Sequence, residues 1–303
     1  MDFRTDLALE SGCFARGQKQ SGKMGQKEEE LPSGIRMEQE EPAFGLRVTR
    51  IVLETEEGAK KLGKPKGNYI TLELPLSWEK LPALKQQAAE VLAKELGKLI
   101  PFRKGLRVLV IGLGNPQVTP DSLGPRTVDQ VHVTRHIFLL TGRRQDRDLA
   151  AVSALAPGVM AATGMETAEL IRKAAELVNP HAVLAVDALA ARDPKRITTT
   201  IQLCDTGIAP GAGTGNMRKE LNRKTLGVPV VAIGVPTVID SKTLVFDALG
   251  EFIGDEQAAL EKLEQAEDSL MVTVTDIDRT VQDFAEIIGR AINIALCPGI
   301  YSS

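Results

Sequence analysis

Two stretches of this chain, LRVLVIGLG at 106–114 and AVLAVDAL at 182–189, are almost wholly apolar on both alternations. A strand with one wet face alternates apolar and polar residues, so a run that is apolar throughout is buried on both sides. Strands of that kind lie parallel and are joined through covering helices. The chain is thereby committed to an α/β fold: a mostly parallel or mixed twisted sheet with helices on both faces. In such sheets, ligands bind beyond the carboxyl ends of the strands. One run ends in Gly112 and Gly114; the other carries Asp187 near its end.

The remaining elements follow from the same periodicities. RVTRIVLE (47–54) and NYITLELP (68–75) read as adjacent strands around a Gly/Lys turn. Ser77 is placed to cap a helix running to Leu99, with Leu81, Leu84, Ala88, Val91, Leu92, Leu96 and Leu99 on one face. ITTTIQLC (197–204), PVVAIGVP (229–236) and MVTVT (271–275) complete the sheet, and helices are expected over 165–178, 240–268 and 276–296. Residues 1–45 lack periodicity: a basic, Gly-rich stretch runs into the acidic cluster Glu28 to Glu41. They read as an N-terminal arm preceding a single α/β domain over 46–303, with the apolar islands DLALE and CF suggesting that part of the arm docks.

Composition removes several classes of function. A net charge of −3 supplies no general attraction for nucleic acid, and 4% aromatic residues leave few platforms for stacking bases. Three scattered cysteines (Cys13, Cys204, Cys297) form neither a disulfide framework nor a zinc knuckle. The charged N-terminus does not resemble a signal peptide, and no apolar run is long enough to span a bilayer, so a cytoplasmic location is expected.

Three segments carry possible chemistry. In VIGLGNPQVTPDSLGPRTVD (110–129) the glycines invite a dinucleotide-binding reading, but Gln117 stands where the third glycine belongs. The glycines otherwise serve a tight loop that delivers Asp121 to the sheet edge, where capping the next helix is the commoner role for an aspartate. Asp187 ends a buried strand, where a charge needs a partner; Arg192 and Arg126 are the ordinary candidates. Two strand-end aspartates converging on one cleft are suited to hydrolysis, one as base for water and the other as acid for the leaving group. The helix dipole beside Asp121 favours Asp121 as base and Asp187 as acid. The third segment, CDTGIAPGAGTGNMRKE (204–220), offers backbone amides around Gly211 and Gly213 for a peptide or an oxyanion, with Asp205 a third carboxylate or a turn former. His132 and His136 are spaced like metal ligands, but HExxH is absent, and so is a GxSxG elbow.

The strings RTDLALE (4–10), GLGNPQVTPDSLGP (112–125), VTRHIF (133–138), SALAPGVMAATGMET (153–167), AVDALAAR (185–192), DTGIAPGAGTGN (205–216) and LGVPVVAIGVPTVID (226–240) run through nearly the whole chain in order. Together they resemble the germination proteases of spore-forming bacteria, which degrade small acid-soluble spore proteins. The resemblance implies an atypical aspartic peptidase with its pair at Asp121 and Asp187, needing no metal or cofactor. It implies a fold similar to the hydrogenase maturation peptidases, a homotetramer, a spore-core location, and a zymogen that removes a short N-terminal segment. Charge balance and the lack of a long apolar run lead to the expectation of no direct nucleic-acid or membrane partner. Family members carry a longer lead before the RTDLA segment, and His where Ala209 stands here. Cleavage after an acidic residue calls for a positive subsite, for which Arg126, Arg135, Arg143 and Arg144 are candidates. A metal-dependent maturation-type peptidase and a nonenzymatic spore-protein binding module are the alternatives.

Overall fold

The computed structural model describes residues 5–11, 33–43, 45–142, 148–211, 219–249, 256–265 and 270–301. Its strands are β1 (Ile35–Ala43), β2 (Leu46–Leu53), β3 (Gly67–Glu73), β4 (Arg107–Gly112), β5 (Ala151–Leu155), β6 (Ala182–Ala191), β7 (Thr200–Cys204), β8 (Val230–Asp240) and β9 (Met271–Val272). They form one mixed sheet in the order β1-β2-β3-β7-β8-β6-β4-β5, with β9 beside β8. The β5-β4-β6-β8 half is parallel, and β8-β7-β3-β2-β1 continues it antiparallel.

The two runs that dictated the fold are β4 and β6, hydrogen-bonded neighbours in the middle of the parallel half. The chain leaves β4 for β5 on one side and returns to β6 on the other. The crevice above β4 and β6 is therefore the topological switch point of the sheet.

Helices cover both faces. Among them are α1 (Glu56–Leu62), α2 (Pro82–Leu99), α3 (Leu123–Gln130), α4 (Thr167–Val178) and α5 (Ile277–Leu296). On one face α2 and α5 bury Leu92, Leu96, Phe284, Ile288 and Ile292 against Val108, Val110, Leu184 and Val186. On the other, Ile171 and Ala175 of α4 meet Leu109, Ile111, Val183 and Ala185. Both alternations of β4 and β6 are thus covered, as their unbroken apolar composition requires.

Local chemistry modifies several expected boundaries. The Gly/Lys turn between β2 and β3 contains α1, capped by Thr55, whose side chain accepts from the Gly58 N–H, and closed by Gly63 in the left-handed conformation. Ser77 makes no side-chain cap: a 3-10 turn over Trp78–Lys80 intervenes, and α2 starts with Pro82 in its first turn. Proline fits there because its missing N–H would have no helical partner. Within the stretch read as an arm, Ile35–Ala43 forms the edge strand β1, and Leu7 and Ala8 are fully buried. The acidic run hides a strand because β1, at the edge, turns its charges outward while Ile35 packs inward.

Candidate active site

The site is assembled where the chain leaves β4. Gly112 and Gly124 let α3 lie directly on the sheet: a β-carbon on Gly124 would sit 2.2 Å from the Leu113 carbonyl oxygen and 2.6 Å from that of Val186. The Leu113 N–H donates to the Val186 carbonyl at 2.8 Å, tying the loop to β6 one residue before Asp187. The loop then turns through Asn115–Val118 into a 3-10 turn over Thr119–Asp121. This turn packs against β6 and β8.

Asp121 is therefore the last residue of a 3-10 turn rather than a helix cap. The N-cap of α3 is Ser122, whose hydroxyl donates to the Thr119 carbonyl at 2.8 Å. The Asp121 carboxylate turns back across the loop, and its Oδ2 accepts from the Asn115 N–H at 2.8 Å. The glycines of GLGN thus serve close packing of backbone.

Asp187 does not end its strand as expected but lies midway along β6, because pairing with β8 continues to Ala191. It is 5% exposed, and its Oδ1 accepts from the Ala188 N–H at 3.0 Å. It stands in register with Gly234 of β8, which stands in register with Gln202 of β7. Residues in register project to one face, and Gly234 leaves that row open between the two polar side chains. A cavity of about 890 Å³ opens over this row, lined by Asp121, Asp187, Gln202, Asp205, Gly211, Asp6 and Lys64 among others.

The structure thus brings Asp121, Asp187, Asp205 and Gly211 to one cavity. Asp205 is committed locally: its carboxylate accepts from the Asn68 backbone N–H at 2.8 Å and from Asn68 Nδ2 at 2.6 Å. Gly213, Arg143 and Arg144 lie outside the described residues. Arg126 is not among the lining residues; its Nε donates to Ser122 Oγ at 3.0 Å and its Nη1 to Gln282 Oε1 at 3.2 Å. Arg192 reaches Asp247. Among the described residues, no cluster of three His, Cys, Asp or Glu side chains is arranged to hold a metal ion. Nor is any helix among them long and apolar enough to cross a membrane.

Periodicity did not single out Asp6, Lys64 or Gln202. Asp6 lies on the docked segment: its N–H donates to the Ala190 carbonyl at 3.0 Å, and its Oδ2 accepts from the Ala190 N–H at 2.8 Å. Gln202 clamps the same segment, accepting from the Ala8 N–H at 2.6 Å and donating to the Asp6 carbonyl at 3.1 Å. Lys64 Nζ donates to that carbonyl at 3.0 Å. Burial pushes the Asp6 carboxyl above its ordinary range, opposed by the Ala190 N–H and the Lys64 charge. Burial pulls the Lys64 ammonium down, opposed by Asp6, Cys204 and Glu10. The sequence signals for this layer were the apolar island DLALE, which begins at Asp6, and the string RTDLALE that contains it and contributes to the family resemblance.

The family model described as germination protease matches residues 13–267. The germination protease of Caldanaerobacter subterraneus subsp. tengcongensis is 39% identical over 324 aligned residues, covering 99% of this chain and 96% of that protein. That of Clostridium tetani is 36% identical, covering 99% and 97%. That of Bacillus velezensis is 44% identical over 250 residues, covering 82% of this chain and 66% of its own length.

Proposed function

This chain belongs to the germination protease family, and from that premise we propose that it is an endopeptidase that begins the breakdown of small acid-soluble spore proteins at germination. The observation that carries the reading is that Asp121, from the loop after β4, and Asp187, midway along the neighbouring β6, line one cavity beside the switch point of the sheet. Peptide hydrolysis needs a base for water and an acid for the departing amide nitrogen, and two carboxyl groups sharing one proton supply both. On this reading Asp121 is the base and Asp187 the acid.

In this mechanism the base takes a proton from water as the oxygen attacks the scissile carbonyl carbon. The tetrahedral intermediate collapses as the C–N bond breaks, and the acid gives its proton to the leaving nitrogen. Backbone amides of the loop at Gly211, continuing toward Gly213, are the proposed donors to the oxyanion and the peptide, with Asp205 bracing the loop's start. No metal or cofactor enters the scheme.

The acidic side chain that this reading places before the cut needs a cation. Arg126, Arg135, Arg143 and Arg144 are proposed on sequence proximity, and Lys66, Arg223 and Lys224 on the cavity wall. Neutralising each group in turn without changing the preference for an acidic residue would remove it from the subsite. The homotetramer, the short N-terminal pro-segment, the spore-core location and the kinship of fold with hydrogenase maturation peptidases belong to the same proposal.

The test is to incubate the purified full chain with an unfolded spore protein and map the cut sites. Asp121→Asn and Asp187→Asn should each abolish cutting with circular dichroism and oligomeric state unchanged. A fully active variant at either position would end the aspartate-pair reading. Loss of activity on exhaustive chelation would favour a metal-dependent peptidase, and tight binding without cleavage a binding module.

A further inference from the structure

Among the described residues, four cations line the cavity that holds Asp121 and Asp187: Lys64, Lys66, Arg223 and Lys224. Three of them are exposed, and Lys66 is engaged by Glu56 at 2.8 Å. Exposed charges act weakly across water and are screened further by salt. Lys64 differs. It is only partly exposed, and its ammonium is fixed by the hydrogen bond to the Asp6 carbonyl.

That carbonyl ties the ammonium to the strand of the site. Asp6 exchanges two hydrogen bonds with Ala190, three residues beyond Asp187 on β6, which is about 10 Å along a strand. Gln202, in the same row as Asp187, donates to the same carbonyl. The ammonium is therefore held at a set position relative to the strand that carries Asp187, and lines the same cavity as Asp121. The titratable groups around it are Asp6 and Glu10 from the docked segment, and Cys204, Asp205 and Tyr69 from β7, its following turn and β3.

We propose that Lys64 is an electrostatic positioning residue for the aspartate pair, its charge setting the pH range in which one carboxyl is ionised while the other keeps its proton. This rests on the aspartate-pair reading above. A cation favours the ionised form of both carboxyls, so it lowers both macroscopic pKa values of the pair together. For a separation on the order of 10 Å, taken from the strand spacing between Asp187 and Ala190, and an effective dielectric between that of a protein surface and water, the effect is roughly half a pH unit to one unit. A tether for Asp6 alone needs only an N–H donor; moving the pair's titration needs charge.

The test is the dependence of kcat on pH for the full chain and its Lys64→Met, Lys64→Gln and Lys64→Arg variants. Circular dichroism and thermal unfolding establish which variants fold. Both limbs of the profile should move to higher pH by about half a unit or more in Lys64→Met and Lys64→Gln, and return in Lys64→Arg. If Lys64→Met fails to fold, Lys64→Gln decides, because it keeps a donor to the Asp6 carbonyl. Limbs that stay within about 0.2 unit of wild type in Lys64→Gln, whatever the loss of amplitude, overturn the inference and leave Lys64 a tether. A wild-type profile without two limbs would instead overturn the aspartate-pair reading, and this inference with it.

Discussion

A β-carbon on Gly114 would lie 2.0 Å from the carbonyl oxygen of Asp121, so these two residues share one space across the loop that follows β4. Gly114 also has φ +112°, a conformation L side chains rarely adopt. Gly114→Ala is expected to push Asp121 from its place and cut turnover about 100-fold, since misplacement by about an ångström costs that much. Stability should fall by roughly 1–3 kcal/mol. Gly164→Ala is the control: it too has positive φ but open space around it, so it should lose about 1 kcal/mol and keep its turnover.

Glu95 of α2 is buried against Arg50 of β2, whose Nε and Nη2 donate to its two oxygens at 2.9 and 2.7 Å, with Lys98 adding a third bond. Burial pushes the Glu95 carboxyl up, but the hydrogen bonds from Arg50 and Lys98 outweigh it and hold the group below its ordinary value. A depressed carboxylate contributes stability above its unfolded pKa and loses it as pH falls through the folded one. Arg50→Met should therefore destabilise by roughly 2–4 kcal/mol at neutral pH, less near pH 2, by urea unfolding.

Glu10 carries the opposite sign. Burial raises its carboxyl, against bonds from the Thr5 hydroxyl and the N–H groups of Arg192 and Asp193 and the charge of Arg196. Asp6 is raised by burial as well. The folded state then holds protons that the unfolded chain has released, so docking of residues 5–11 weakens as pH rises from the ordinary carboxylate range through the raised values. Hydrogen exchange at Leu7–Ser11, corrected for intrinsic rate, should show protection falling over that window. Glu10→Gln should flatten the dependence, leaving only the share due to Asp6.

Gln202→Leu removes both side-chain bonds to the docked segment and strands the Ala8 N–H. The expected cost is about 1–3 kcal/mol. Limited proteolysis should then cut within residues 5–11 well before the core, and activity should fall because the cavity wall has opened. Equal protease resistance in wild type and variant would show that Gln202 is no clamp.

Much of the fold was legible along the chain. The apolar runs of β4 and β6, the alternation of β2 and β3 and the long stripe of α5 are local periodicities, and each element formed where its period lay. Short, lightly patterned elements were not legible: α1 inside a Gly/Lys turn, β5 within a run broken by Pro157, and β1 beneath an acidic surface. The edge strand evaded notice because its character comes from the partner strand it meets.

The two aspartates show where sequence stops and tertiary structure begins. The sequence by itself determined that buried parallel strands must exist, that Asp187 belongs to one of them, and, by family resemblance, that Asp121 belongs with it; it placed Asp187 at the strand's end, whereas pairing with β8 carries β6 on to Ala191. It could not determine that Asp121 closes a 3-10 turn instead of capping a helix, because that depends on Gly112, Gly114 and Gly124 letting backbone approach backbone. Nor could it place Asp6 and Lys64 in the cavity wall. Period and propensity act over a few residues, whereas Asp6 meets Ala190 from 184 positions away through contacts that exist only once the sheet has formed.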